Sequence, residues 1–245
     1  GVAAIIYLGE HGIEYGGGFG LYMIQYALHK ISIALFSAIF FVMNWEFMRN
    51  WFGDYAGLLA AGYALTLVIT LGLFLFCCSN RFHHLICRLL DFANQKFHGK
   101  FEIMAEEIKR QCMMLEDASN HLMKNKKVTT EVIFLCLLKC CFWYGIPYLL
   151  FKGVQFQGNP ALSLSQVLAI TSLSVMLAAV IPSPAGIGST EFVFTTLFAG
   201  IVGTGIAGSA SLLYRFGTFV FPFLVGAVVV LVRHFKRKKL SSGSI

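Results

Sequence analysis

A chain of 245 residues that is 57% hydrophobic and only 13% charged is far from an ordinary soluble domain, which carries about twice that share of charge. The net charge of +7 comes from loops and from the tail His234 to Lys239, with no basic face interleaved with aromatics. It therefore marks membrane topology and not a nucleic-acid partner. Together with a mean hydropathy of +0.72, this predicts an all-α, polytopic integral membrane helix bundle.

Residues 1–20 read as an interfacial segment ending in a flexible run, Gly16-Gly17-Gly18-Phe19-Gly20. That run lacks the Lys-Ser/Thr of a phosphate loop, so it does not indicate a nucleotide. Residues 21–43 and 56–78 are each long enough to cross a bilayer, since about 20 apolar residues span the hydrocarbon core. Trp45, Trp51 and Tyr55 between them form an aromatic belt.

Residues 79–127 change character. Phe82, Leu85, Leu89, Ala93 and Phe97 fall on one helical face, and Phe101, Met104, Ile108, Cys112, Leu115 and Leu122 form a second stripe. These spacings predict a cytoplasmic amphipathic insertion that lies on or beneath the membrane. Residues 129–152 span again, and the loop Gly153–Ala161 is short and uncharged.

Residues 163–181 are apolar but rich in Ser and Thr. They end at Pro182-Ser183-Pro184-Ala185-Gly186-Ile187-Gly188-Ser189-Thr190-Glu191. Prolines and glycines break helices and leave backbone groups without partners. Hydrocarbon supplies none, so such a hinge must be buried in protein or line a wet cavity. Broken helices of this kind mark substrate sites in transporters. The following arm, Glu191 to Gly203, reaches only about 20 Å. The two arms are therefore broken or re-entrant half-helices, or they both cross. Residues 206–232 make a last full span, and 233–245 form a basic cytoplasmic tail.

The charge bias places segment 79–127 and the C-terminus in the cytoplasm. The seven cysteines, Cys77, Cys78, Cys87, Cys112, Cys136, Cys140 and Cys141, lie in spans or in that segment, where thiols stay reduced. Cys77-Cys78, His83-His84 and Cys87 resemble a metal cluster only superficially, because adjacent pairs do not match zinc spacing. No metal and no cofactor is expected.

Four ionisable residues lie within apolar segments: Lys30, Lys139, Glu191 and Arg215. Each costs about 2.5–3.5 kcal/mol at a helix centre. Lys30 is read as lying near its helix start, within snorkelling reach. Lys139 is about halfway along its span, where a substrate role and snorkelling are balanced. Glu191 complements a helix dipole with Ser189 as cap, yet in a membrane it needs a counter-charge or water. Arg215 stays charged and requires an anion, either Glu191 or a lipid phosphate. No catalytic constellation occurs: there is no His-Glu-x-x-His, no Gly-x-Ser-x-Gly and no close carboxylate pair within the spans.

At the hinge the chain resembles the membrane domain of lysylphosphatidylglycerol synthases, the flippase-like region of the multiple peptide resistance factor, and its stand-alone relatives. That family carries Pro-x-Pro-Gly-Gly-x-Gly-x-x-Glu ahead of a short helix. Pro182, Pro184, Gly186, Gly188 and Glu191 match it, and Ala185 replaces the first Gly. Arg215 is similar to an arginine that follows the signature. The resemblance covers most of the chain, but only the hinge is specific.

What it implies is a single flippase-like domain over 1–245, with further membrane helices ahead of Gly1 and without the soluble aminoacyltransferase domain. The implied activity is movement of a phospholipid, or of aminoacylated phosphatidylglycerol, between leaflets of a bacterial inner membrane. The implied substrate-binding residues are Pro182, Pro184, Gly186, Gly188, Glu191 and Arg215, with Lys139 added from its depth. The implied partners are a membrane phospholipid and a separate aminoacyltransferase, and a homo-oligomer stays open. Two alternatives remain: a phosphatidylglycerol lysyltransferase or its membrane subunit, and an ion-coupled solute transporter with Glu191 as its proton or sodium site.

Overall fold

The computed structural model describes residues 15–53, 55–78, 125–153, 162–181 and 183–241, together with 88, 106–110, 113 and 116. Among these there is no strand. Eight α-helices follow in order: α1 Tyr15–Met43, α2 Trp45–Phe52, α3 Tyr55–Cys78, α4 Lys126–Gly153, α5 Leu164–Ala178, α6 Ser189–Val202, α7 Thr204–Arg215 and α8 Phe221–Ser241. A 3-10 turn occupies Pro184–Gly186, and a π-turn occupies Phe216–Val220. Among the described residues, four stretches are long and apolar enough to cross a membrane: Gly20–Met43, Tyr55–Phe76, Lys126–Gly153 and Thr204–Val232. They coincide with the four full spans expected from hydropathy, and the protein is a membrane helix bundle.

The chain divides into two compact units, Gly1–Val42 with Asp54–Cys140, and Met43–Gly53 with Cys141–Ile245. In the first unit, α1 buries Ile24, Ala27, Leu28, Ala34 and Phe36. Tyr63 of α3 stacks on Phe41 at 5.2 Å and donates its hydroxyl to the Ala34 carbonyl at 3.2 Å. Ser32 and Thr66 turn their hydroxyls back onto the Leu28 and Gly62 carbonyls. These two hydroxyls are satisfied within their own helices, as Ser and Thr commonly are.

Two expectations need correction here. The run Gly16 to Gly20 is not a flexible lead-in, because it lies inside α1. Glycine is a poor helix former, but continuing the helix satisfies backbone groups that lipid would leave unpaired. As a result Lys30 is fifteen positions past the first residue of α1, about 22 Å along the helix, and not near its start. The stripes proposed over 79–127 fall almost entirely outside the described residues. Within that segment, residues 106–110 are helical, and Arg110 bridges Glu107 at 2.7 Å on an exposed face.

In the second unit, α5 begins with a reciprocal cap. Ser163 Oγ accepts from the Gln166 N–H, and Gln166 Oε1 accepts from the Ser163 N–H, so two orphan donors are satisfied together. Every residue from Val167 to Ser174 is buried, so the middle of α5 is enclosed by protein on all sides, hydroxyls included. Asn44, just before α2, donates its side-chain amide to the Ser165 carbonyl at 3.3 Å and accepts from Ser165 Oγ at 3.2 Å. The aromatic connection read from Trp45 and Trp51 is therefore a two-turn helix that is pinned to the start of α5.

Candidate functional site

Neither α5 nor α6 is long enough to cross alone. Fifteen and fourteen residues give about 22 and 21 Å of helix against roughly 30 Å of hydrocarbon. The chain between them turns through the predicted hinge. Pro184 opens the 3-10 turn, a position that suits its fixed φ and missing N–H. Ala185 lies inside that turn, where 3-10 geometry takes negative φ. A Cβ is therefore tolerated at the one position that departs from the hinge signature. Gly186 has φ 69° and Gly188 has φ 84°, a region that L side chains avoid. Both glycines are required by backbone geometry. Pro182 lies outside the described residues.

Gly188, and not Ser189, is the N-cap of α6. This corrects the expected Ser189 cap. Ser189 Oγ instead shares a 2.6 Å hydrogen bond with Ser183 Oγ and donates to the Gly186 carbonyl at 3.3 Å. It closes the hinge on itself. The orphan donor at the cap is taken by a carboxylate, because the Gly188 N–H donates to Glu191 Oε2 at 2.8 Å.

The second oxygen of that carboxylate reaches across to α7. Arg215 Nε donates to Glu191 Oε1 at 2.9 Å, with side chains only 15% and 24% exposed. One carboxylate therefore caps α6 and neutralises an arginine at the end of α7. A charge-assisted bond of this kind is stronger than a neutral one. Losing either partner strands a charge in a desolvated place, at a cost of about 3 kcal/mol or more.

The hairpin of α6 and α7 brings the pair together. It reverses at Gly203, with φ 82°. Ser211 donates to the Glu191 carbonyl at 3.4 Å, one turn before Arg215. Phe194 is fully buried, stacked 5.5 Å from Tyr214 and tilted 4.5 Å from Phe198. Phe198 in turn meets Phe151 of α4 at 5.0 Å. This aromatic column fixes the register of the hairpin, and hence the distance between Glu191 and Arg215.

Arg215 stands where the last span changes its winding. The Phe221 N–H bonds to the Phe216 carbonyl, five residues back, and Pro222 has no N–H to offer. The proline thus explains a π-turn inside an otherwise α-helical span. That turn carries the Phe219 ring to 4.7 Å from Arg215 Cζ, within cation–π range. The Gly186 backbone is also close to the guanidinium. A Cβ there would lie 3.8 Å from Arg215 Nη2 and 3.1 Å from Thr190 Oγ1.

The family profile described as the lysylphosphatidylglycerol synthase TM region matches residues 1–226. The chain belongs to that family. No curated protein and no solved structure matches it. Membership in the lysylphosphatidylglycerol synthase transmembrane family agrees with a lipid-related membrane role, and the match includes the hinge, Glu191 and Arg215.

Within this family member, the structure gathers Gly186, Gly188, Glu191 and Arg215 into one polar cluster, with Pro184 at its edge. Lys139 belongs to the first unit and the hinge cluster to the second. Sequence reasoning did not single out Ser183, Ser211 or Phe219 as members. The spacing of Arg215 and Phe219, one helical turn apart, was the available signal for the last. The cysteine and histidine cluster at 77–87 lies outside the described side chains. Among the described residues no group of three metal-ligating side chains comes together.

Proposed function

We propose that the chain moves a phospholipid, such as an aminoacylated phosphatidylglycerol, between the leaflets of a bacterial cell membrane. The observation that carries this reading is the Glu191–Arg215 pair, 2.9 Å apart at the mouth of a broken helix. Buried charge at such a place is expensive, and its use is to meet a charged substrate. The guanidinium and the first-turn amides of α6 hold the lipid phosphate. Glu191 keeps Arg215 oriented until a cationic head group, such as an aminoacyl amine, competes for the carboxylate. The acyl tails stay in hydrocarbon throughout. The C-terminus faces the cytoplasm in this reading, as the basic tail requires.

The test is lipid movement in proteoliposomes. Fluorescent phosphatidylglycerol is placed in both leaflets, and the share accessible to an impermeant quencher is followed with time. Quenching past the outer-leaflet share, lost in Arg215→Ala at matched protein level, supports the reading. No movement beyond empty vesicles sinks it. Movement of a water-soluble solute that depends on an ion gradient would replace it with an ion-coupled transporter. Transfer of a lysyl group to phosphatidylglycerol by the purified chain would replace it with an enzyme.

A further inference from the structure

The hairpin that carries Arg215 has another face, turned towards lipid. A groove of about 440 Å³ runs between the end of α4 and α7, with Leu149 and Gly153 on one wall and Ile206, Ser209, Ala210 and Leu213 on the other. The four α7 residues share one helical face, since they recur at i, i+3, i+4 and i+7. Arg215 lies two positions past Leu213, about 200° around the helix. The groove and the Glu191–Arg215 pair therefore lie on different faces of α7, and both belong to the second unit.

Gly153 ends one membrane span and Thr204 begins another, so the groove opens at the interface on that side. Leu213 is nine positions past Thr204, about 14 Å inward and close to half of a hydrocarbon core of about 30 Å. The groove thus has the depth of one leaflet. Ser209 is the single polar side chain among the residues that line it, and its hydroxyl donates to the Gly205 carbonyl at 3.0 Å. The side chains of the wall offer a polar solute no partner, and the medium at this depth is hydrocarbon. A membrane-spanning helix of a second copy would need a groove that continues across the bilayer, whereas this one stops near its middle. An acyl chain fits both the chemistry and the length.

Lys152 stands at the mouth, one residue before Gly153. It is exposed, and its Nζ lies 5.1 Å from the centroid of the Tyr148 ring, one turn back. The loop 154–161 that follows carries no charged residue. A basic side chain at the interface attracts anionic head groups. We propose that this groove seats an acyl chain of a net-anionic phospholipid, from the leaflet opposite the basic tail, with Lys152 meeting the lipid phosphate. The site takes phosphatidylglycerol in preference to phosphatidylcholine, whose head group brings its own cation. It concerns binding at equilibrium and does not rest on lipid movement at the hinge.

The test is photo-crosslinking in vesicles. The full chain is made with p-benzoylphenylalanine in place of Leu149, an exposed residue of the groove wall. A second protein carries it in place of Leu212, which is exposed but is not a wall residue. Each is reconstituted into equal parts phosphatidylglycerol and phosphatidylcholine and irradiated, and the adducts are identified by mass. The expected result is a several-fold excess of phosphatidylglycerol adducts at the Leu149 position and a ratio near one at the Leu212 position.

Lys152→Gln brings the ratio at the Leu149 position towards one, and Lys152→Arg, which keeps the charge, retains it. Ser209→Phe fills the groove and lowers the total lipid adduct at the Leu149 position several-fold, with no change at the Leu212 position. Lys152 is exposed, so its variants keep the site testable should Ser209→Phe not fold. Equal ratios at the two positions, or an unchanged ratio in Lys152→Gln, overturn the site. Adducts to a second copy of the chain at the Leu149 position assign the groove to a protein interface and overturn the lipid assignment. Loss of the excess on adding inorganic phosphate assigns Lys152 to a soluble anion and overturns the head-group contact.

Discussion

Glu191 and Arg215 are 24 positions apart in the chain and 2.9 Å apart in space, and the carboxylate of the pair also takes the Gly188 N–H. One side chain therefore ties the cap of α6 to the end of α7. This double use separates two roles that a point mutation would otherwise confuse. Removing the carboxylate opens the cap and strands the arginine. Removing the arginine leaves the cap intact and strands only the carboxylate.

That asymmetry orders the charge variants. Arg215→Lys keeps one positive charge but loses the planar fork. It is expected to insert and fold, with lipid movement reduced at least tenfold. Arg215→Ala is expected to fall further and to lower the thermal midpoint. Glu191→Ala combined with Arg215→Ala removes both stranded charges, so expression recovers while transport does not. Full activity in Arg215→Lys would remove the bidentate phosphate contact from the mechanism. Full activity in the double variant would remove the pair.

The hinge glycines differ in what surrounds them. At Gly186 an added Cβ meets Thr190 Oγ1 at 3.1 Å, whereas Gly188 faces open space. Both hold positive φ. Gly188→Ala is expected to cost only the backbone strain, about 1–3 kcal/mol. Gly186→Ala adds a tight contact with Thr190 beside the arginine, so its loss of lipid movement is expected to be larger than its loss of stability. Gly186→Val or Gly188→Val abolishes movement in protein that still inserts. Melting curves in detergent, set beside the vesicle assay, separate these terms. Equal behaviour of the two alanine variants in both assays would count against the packing argument.

The aromatic column is expected to behave as a core. Phe194→Ala removes a fully buried ring that touches both Phe198 and Tyr214, and the cost is about 3–5 kcal/mol. Because the column sets the hairpin register, lipid movement falls as well. Phe194→Leu fills most of the space and loses less on both counts. Denaturant titration of the three proteins gives the order, and an alanine variant as stable as the parent would contradict it.

Topology is a separate matter, carried by charge alone. Single thiols between Arg81 and Lys127 are expected to stay shielded from membrane-impermeant reagents in intact cells, while a thiol at Gly158 is labelled. Labelling of Cys112 from outside would reverse the orientation.

Much of this architecture was legible in one dimension. Hydropathy along the chain located the four full spans, because each apolar residue in lipid contributes independently of its neighbours. The hinge was legible because proline and glycine act on their own backbone, and both glycines do take positive φ. Glu191 and Arg215 were visible as costly charges, each on its own. Local preferences misled where geometry took over. Serine is a good cap, yet Gly188 holds that position and Ser189 closes the turn. The glycine run reads as flexible, yet helical hydrogen bonding extends α1 through it.

Only the tertiary structure decided who meets whom. Whether Arg215 finds Glu191 depends on the reversal at Gly203 and on Phe194 stacking against Tyr214. The stacking is a relation between residues on two different helices. The π-turn, and the Phe219 ring it brings to Arg215, follow from one missing N–H at Pro222 within a helix that could also have kinked. Sequence determines what each residue costs in a membrane, since that cost is local. Which partner offsets it is set by packing, because pairing needs two elements held at one distance.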